Sequence, residues 1–287
     1  MTLFRWILLL TLSLLWGASF YFTEKALMYH SFEQVTFLRV LFATLFIGLI
    51  VFIKKVKIYL TPKLFGLFIL LGLFNNVLPF LGFTYAQESI SSSLASMCNA
   101  TTPIFTAILA HFFTQDEKLN IKTILGISIG FIGMFILIDP TGVDSFEYGV
   151  IIALVSAFSF GLAAILAKML KDHDPLFVIF GMLSVSSLIM FILFFDSLLE
   201  FESLSYEPLI DIISLGVLST AIAYILYFYL LFRVGAVRLL LVTYLVPISA
   251  ILLGVFFLNE QITFQMILGI IFIFISLLVV NHERKIS

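Results

Sequence analysis

Polar side chains recur at helical spacing inside one long apolar stretch of the chain. Ser92, Ser96, Asn99 and Pro103 follow one another at steps of three and four residues, which places them on one face of a helix. Pro103 has no backbone N–H, so it frees a carbonyl about one turn earlier, close to Asn99. We predict Ser96 and Asn99 as substrate-binding residues along a loosened helix. Close packing between helices is the alternative interpretation.

A second group of polar residues lies in two other apolar stretches. Asn75 and Asn76 are adjacent within one of them, and Thr220 and Tyr224 lie within the other. Such side chains are costly to leave facing lipid, so they face protein, water or a ligand. Tyr224 lies too deep in its stretch for a role in the aromatic belt at the membrane surface. We therefore predict that these four residues bind substrate.

Weaker candidates for the same role lie deep in their own apolar stretches. They are Trp16, Ser19, Ser159 and Tyr244.

Arg39 is the one basic residue well inside an apolar stretch. A charge at that depth needs a partner or a wet cavity. Glu24, Glu33 and Glu88 are its possible ion-pair partners. We favour structural ion pairing, with substrate binding as the alternative.

Other ionisable residues lie at the ends of apolar stretches. We expect Glu117 and Glu260 to hold tight turns before the next helix, with gating as the alternative. Because histidine as a residue type can change charge near neutral pH, proton coupling is the alternative for His111, and a hydrogen-bonded interfacial histidine is the favoured interpretation. Because the acidic residues lie mostly at loop depth, no proton relay of buried carboxylates is evident.

The sequence lacks two motifs that are typical of metalloproteases and nucleotide-binding enzymes. It contains no His-Glu-x-x-His and no P-loop. Asp172-His173-Asp174 stands in a short loop without further ligand spacing, so we interpret it as a solvated loop. We expect no catalytic residue, no metal and no cofactor.

Composition identifies the elements that must carry these residues. Of 287 residues, 62% are hydrophobic and only 11% are charged, whereas a soluble domain is about one quarter charged. With a net charge of -2, a nucleic-acid partner is not expected. The partners expected are the lipid bilayer and a small-molecule substrate.

Ten apolar runs have the length of a membrane-spanning helix. They cover residues 6–27, 33–53, 64–84, 91–113, 121–138, 148–168, 176–195, 209–232, 236–258 and 263–281. Thirteen of the 15 Lys and Arg residues fall on one side of this arrangement. The positive-inside rule then places both termini in the cytoplasm.

The chain also repeats itself. At a shift of 144 residues, Tyr85 meets Tyr229 and Pro103 meets Pro247; at 143, Glu117 meets Glu260. We predict two five-helix halves, at 1–139 and 146–282. Because five is odd, the halves have opposite orientations in the membrane, as in many secondary transporters.

Gly126 and Gly130, followed by Gly133, predict close helix packing. Packing within the first half is the favoured interpretation, and dimerisation is the alternative.

Several motifs carry a family resemblance. They include the segment Leu15-Trp16-Gly17-Ala18-Ser19-Phe20. They also include a pattern that occurs in both halves, in which a proline is followed by a glutamate and then by a helix that contains glycine. On these residues the chain resembles the drug/metabolite transporter superfamily, in its ten-helix EamA-type branch. The resemblance covers nearly the whole chain.

The resemblance implies an all-α integral membrane protein that exports or exchanges small metabolites, such as amino acids or related solutes. It implies a central cavity between the halves, a bacterial inner (plasma) membrane location, and a monomer or homodimer. A lipid flippase and an intramembrane enzyme acting on lipid are the alternatives.

Overall fold

The first half of the chain forms long apolar helices whose starts are set by side-chain caps. The computed structural model describes residues 3–90, 92–115, 117–138, 148–199, 206–249 and 263–281. Ser31 caps α2 and Gln34 completes its capping box, while Thr61 caps α3 with a proline at its first position. The helices of this half are α1 (Leu3–Leu27), α2 (Phe32–Ile53), α3 (Pro62–Gly72), α4 (Leu78–Ala86), α5 (Ser92–Asn99), α6 (Thr102–Phe113) and α7 (Ile121–Ile138).

The second half repeats this order. Asp174 caps the helix that begins at Pro175, accepting from the backbone N–H groups of Leu176 and Phe177. The helices are α8 (Tyr148–Lys168), α9 (Pro175–Leu193), α10 (Phe195–Leu199), α11 (Tyr206–Gly216), α12 (Ala223–Val234), α13 (Ala236–Leu240), α14 (residues 245–249) and α15 (Phe264–Asn281).

Two π-helical turns interrupt helices at corresponding places in the two halves. The first, Leu73–Val77, joins α3 to α4, and the second, Val217–Ile222, joins α11 to α12. Their first residues differ by 144 positions, the shift that aligns the two halves in sequence. Such turns widen the helix and are frequent at functional sites.

The fourth apolar run is not the single helix that we predicted over 91–113. It breaks between α5, which ends at Asn99, and α6, which begins at Thr102. Because Pro103 cannot donate to the Asn99 carbonyl, the Thr102 hydroxyl does so instead, at 2.6 Å. The second half has a 3₁₀ turn, Leu241–Tyr244, at the matching position.

Helices of the two halves pack against each other in symmetric pairs. The contacts join α1 with α11, α4 with α8, α2 with α9, and α7 with α15. The last pair corrects our interpretation of the glycine motif as packing within the first half. A Cβ at Gly126 would collide with Val280, and one at Gly133 would lie 2.9 Å from the Gly269 carbonyl oxygen. The glycines of α7 therefore permit close approach to the second half.

The outer surface of the described helices is apolar. Six helical stretches are long and apolar enough to cross a membrane, and three shorter helices are also apolar. Large side chains such as Phe52, Phe112 and Leu278 are exposed on this surface. Such a surface is suited to lipid and not to water.

Candidate functional site

A small cavity of about 60 Å³ lies where α1, α4, α12, the first π turn and the helix breaks converge. Its wall is made by side chains of both halves. The aromatic part comprises Trp16, Phe20, Phe80, Phe83, Phe160, Tyr224 and Tyr227, and the polar part comprises Ser19, Thr23, Arg39, Asn75, Thr84, Gln87, Asn99, Thr102 and Thr243.

The first π turn is stabilised by a tyrosine from the second half. The Tyr224 hydroxyl donates to Asn76 Oδ1 at 2.6 Å and to the Asn75 carbonyl oxygen at 3.0 Å. Asn76 Nδ2 in turn donates to Ser186 Oγ at 2.9 Å. Ser159 Oγ donates to the Phe74 carbonyl oxygen of the same turn at 2.8 Å. The polar groups of this turn therefore bond to α8, α9 and α12 together.

Arg39 projects from α2 into the cavity wall and is only 7% exposed. Its Nε donates to Thr220 Oγ1 at 2.8 Å, and its guanidinium carbon lies 3.7 Å from the centroid of the Phe80 ring. Thr220 then donates to the Leu215 carbonyl oxygen at 3.0 Å across the second π turn. The guanidinium is thus fixed by a neutral hydroxyl and an aromatic face.

None of the three carboxylates that we named as possible partners of Arg39 pairs with it in the described residues. Glu24 Oε2 accepts from Ser92 Oγ at 2.6 Å. Burial raises the pKa of Glu88, and the negative charge of nearby Glu33 raises it further. No ion pair to Arg39 is formed by any part of the chain that the structure describes.

Ser92 joins the side chains of Glu24 and Gln87 through hydrogen bonds. It accepts from Gln87 Nε2 at 2.9 Å, and Gln87 Nε2 also donates to the Phe20 carbonyl oxygen at 3.3 Å. Nearby, burial lowers the pKa of His30, an effect that its hydrogen bond with Gln34 opposes. Gln87, a residue of the cavity lining, is therefore held in place by Ser92 and by the backbone of α1.

The structure places some of the predicted substrate-binding residues at the cavity and others behind it. Trp16, Ser19, Asn75, Asn99 and Tyr224 line the cavity, as does Arg39. Asn76, Ser96, Ser159, Thr220 and Tyr244 are buried outside the lining. Tyr244, for example, donates to the Ile127 carbonyl oxygen at 3.0 Å, which ties the 3₁₀ turn to α7.

Several lining residues were missed. Tyr227 was not one of them, because its spacing of three residues from Tyr224 already indicated that it shares the same helix face. Gln87 gave only a weak signal because it comes just after α4 ends. Phe20, Phe80, Phe83 and Phe160 are four of 34 phenylalanines, so residue type could not distinguish them.

A larger and more polar cavity of about 660 Å³ opens at the opposite end of α6, α8 and α12. Glu117 is the carboxylate in its described lining. One oxygen lies 2.8 Å from Lys168 Nζ and 3.2 Å from the Ala236 backbone nitrogen, and the other accepts from Val237 N at 3.3 Å. The basic residues of this lining are Lys118, Lys168, Lys171, Arg233 and Arg238.

The turn at Gly235 makes the Glu117 contact possible. Gly235 has a φ of 87°, which L side chains rarely adopt, and a Cβ there would collide with the Glu117 carboxylate. The Glu117 carboxylate thus contacts the turn before α13 in the other half, and not the turn before its own next helix as we predicted. Glu260, its counterpart by sequence, lies outside the described residues.

Among the described residues, no cluster of three or more His, Cys, Asp or Glu residues could hold a metal ion. His111 Nδ1 accepts from Leu119 N at 3.2 Å, as a hydrogen-bonded histidine at the helix end.

The sequence matches one protein-family model twice. The model of the EamA-like transporter family matches residues 4–139 and again residues 147–282. Together the two matches cover nearly the whole chain.

Individual relatives extend over similar lengths. The "Uncharacterized transporter YoaV" of Bacillus subtilis is 25% identical over 92% of this chain and 92% of its own. An "Uncharacterized transporter" of Archaeoglobus fulgidus is 26% identical over 98% of this chain and 99% of its own. A "Probable amino-acid metabolite efflux pump" of Salmonella typhimurium is 25% identical over 94% and 92%, respectively.

A solved structure supports the fold. It is titled "Crystal structure of protein" and superposes with a TM-score of 0.78 over 96% of each chain, at 16% sequence identity. At this identity the likeness concerns the fold alone.

Proposed function

The chain belongs to the EamA-like transporter family, and we propose that it moves a small metabolite across the bacterial inner (plasma) membrane by alternating access. It is a multi-pass membrane transporter, and in our proposal it works as an exporter or exchanger. The cargo binds between two inverted repeats, residues 1–139 and 146–282. Each contributes five membrane segments, and both termini are cytoplasmic.

One observation carries this proposal: buried polar side chains of both repeats converge on one cavity. Asn75 and Asn99 come from the first repeat, and Tyr224 and Thr243 come from the second. All four are less than 10% exposed. A wall shared in this way changes shape when one repeat moves against the other, which is how a central site is exposed to alternate sides.

The small size of the cavity supports a conformational change that enlarges it before cargo binds. Ligand sites usually enclose about 300–1,000 Å³, and this cavity encloses about 60 Å³. A metabolite therefore enters only after the walls separate. The π turns and the break between α5 and α6 supply backbone that is not locked into one regular helix.

Two relatives guide the choice of cargo. The Salmonella protein described above and one from Escherichia coli, 24% identical over 94% of this chain, are both named "Probable amino-acid metabolite efflux pump". We infer that amino acids or related solutes are the first cargoes to test.

Counterflow in proteoliposomes tests this function directly. Vesicles containing the purified full-length protein are preloaded with an unlabelled amino acid, nucleobase or sugar, and its labelled form is added outside. We expect transient accumulation of the label that protein-free vesicles do not show. No accumulation with any panel member, although the protein is folded and inserted, would count against amino acids, nucleobases and sugars as cargo and favour a lipid cargo or another metabolite class.

A further inference from the structure

We propose that Arg39 binds the carboxylate of a monoanionic cargo inside the central cavity. This inference rests on the proposed function, because it assigns a cargo group to the same site. It adds a charge and a chemical class to a cargo that was so far described only as a small metabolite.

The first step is the cost of the buried charge. Arg39 lies two turns inside α2, about 10 Å along the axis from the first residue of that helix. A guanidinium at this depth is retained where it has a partner or a function. Its protein contacts are the Thr220 hydroxyl and the Phe80 ring, both neutral.

The second step is the charge of the surrounding wall. The cavity lining contains no aspartate or glutamate among the described residues, and Arg39 is its one cation. The nearest acidic candidates by sequence are engaged elsewhere: Glu24 with Ser92, and Glu88 beside Glu33. The wall therefore carries one positive charge, which a single negative charge on the cargo would balance.

The third step is the geometry of the guanidinium. Its Nε is occupied by Thr220 and one of its faces is covered by Phe80. The two terminal nitrogens make no hydrogen bond to the part of the chain that the structure describes. They present a planar fork of donors at the edge of the group, which matches the two oxygens of a carboxylate.

The remainder of the wall limits the class of cargo further. Trp16, Phe20, Phe83 and Phe160 surround the site with apolar rings, so the part of the cargo beyond its carboxylate meets aromatic surface. A phosphate dianion would keep one uncompensated charge in this wall, which is costly away from water. A monocarboxylate with an apolar body fits both features.

Trp16 reports on ions that approach Arg39. In a Trp6→Phe background, Trp16 is the single tryptophan. The full-length protein in uncharged detergent is titrated with iodide, caesium and neutral acrylamide, and quenching of Trp16 fluorescence is followed. Because Arg39 attracts anions, we expect iodide to quench about fivefold more strongly than caesium after normalisation to free tryptophan.

Variants then assign the effect to Arg39. Arg39→Gln should remove the preference for iodide and Arg39→Lys should retain part of it. Lys57→Gln, which removes an exposed charge far from the cavity, should leave it unchanged. Arg39→Lys also serves as the test if Arg39→Gln does not fold.

A competition distinguishes carboxylate from other ligands. We expect 3-phenylpropionate to protect Trp16 from iodide, whereas the neutral 3-phenylpropionamide and inorganic phosphate do not. Equal protection by the amide or by phosphate would overturn the carboxylate assignment. Where acrylamide shows that Trp16 is accessible, equal quenching by iodide and caesium or the same preference in Arg39→Gln would make Arg39 a structural residue. Because none of these readouts requires transport, they are independent of a failed counterflow experiment.

Discussion

The Tyr224 hydroxyl lies 2.6 Å from Asn76 Oδ1 and so joins α12 of one repeat to the π turn of the other. The same hydroxyl also donates to the carbonyl oxygen of the preceding residue in that turn. Tyr224 therefore lines the cavity with its ring and stabilises the cavity wall with its hydroxyl. Any movement that opens the cavity between the repeats must change this contact.

Tyr224→Phe should lower transport about fivefold and the free energy of unfolding by about 1–2 kcal/mol, because Asn76 Oδ1 loses a buried donor. Both quantities can be followed on one preparation, by counterflow at matched protein levels and by thermal unfolding in detergent. Tyr59→Phe is the matched control, because its hydroxyl is also bonded, to His173 Nδ1 at 2.6 Å, but at an exposed site. Equal transport by the two variants would remove Tyr224 from the transport site.

Asn99→Ala should reduce transport while the protein stays folded. Asn99 lines the cavity, and its backbone carbonyl, which the substitution leaves in place, accepts the 2.6 Å bond from the Thr102 hydroxyl. Only the longer contact of 3.4 Å between that hydroxyl and Asn99 Oδ1 is lost. Loss of one hydrogen bond to cargo, worth about 1 kcal/mol, lowers transport roughly fivefold.

The control for Asn99→Ala is Thr11→Val. It removes a polar group that bonds its own helix on the exposed side of α1. Transport by Asn99→Ala at the level of Thr11→Val would show that Asn99 does not contact the cargo.

The elements could be predicted from sequence because local rules determine them. Apolar runs and caps located the helices, and Asn120 Oδ1 accepts from Thr123 N at 2.8 Å at the start of α7, as an N-cap does. The repeat in sequence reappears as two π turns at equivalent positions. The π turns themselves could not be predicted, because no apolar run or cap marks them in the sequence.

The orientation of individual side chains could not be predicted in the same way. Asn75 and Asn76 are adjacent and about 100° apart around a helix, and the structure places the first in the cavity lining and the second against Ser186. Which of them faced the cavity depended on where α9 packs. The neutral partners of Arg39 were missed for the same reason, since Thr220 is 181 residues away in the chain.

Topology can be tested with two cysteine variants in a Cys98→Ala background, which removes the single native cysteine. Tyr29 is 58% exposed in the loop after α1, and Lys57 is exposed in the loop after α2. If both termini are cytoplasmic, an impermeant maleimide should label Tyr29→Cys in intact cells and Lys57→Cys only after permeabilisation. The reverse pattern would invert our topology.

Gly130→Ala should destabilise the protein. A Cβ at Gly130 would lie 2.5 Å from Tyr244 Cε2 and 2.6 Å from Ser276 Oγ, where α7 meets the second repeat. Overpacking of this kind costs about 1–3 kcal/mol. Gly66→Ala is the control, because no atom lies within 4 Å of a Cβ built there. We expect it to leave the unfolding temperature unchanged or higher, and a fall as large as that of Gly130→Ala would contradict the packing argument.

Glu117→Gln should favour opening on the side of the larger cavity. Glu117 joins the repeats through Lys168 and through the first backbone N–H groups of α13. The amide keeps an acceptor but loses the charge that favours both contacts. The paired side chains are 18% and 13% exposed, so solvent screens them in part, and the loss should be about 1 kcal/mol, or roughly a fivefold shift in population.

The shift can be measured as the alkylation rate of a cysteine at Ala107, a buried residue in the wall of this cavity, in the Cys98→Ala background. We expect the rate to rise about fivefold with Glu117→Gln. Lys168→Met should raise it similarly, and the double variant should add little, because residues that share one interaction are not additive. Additive effects would mean that the two residues act separately. An unchanged rate in all three variants would mean that the contact does not hold the repeats together on this side.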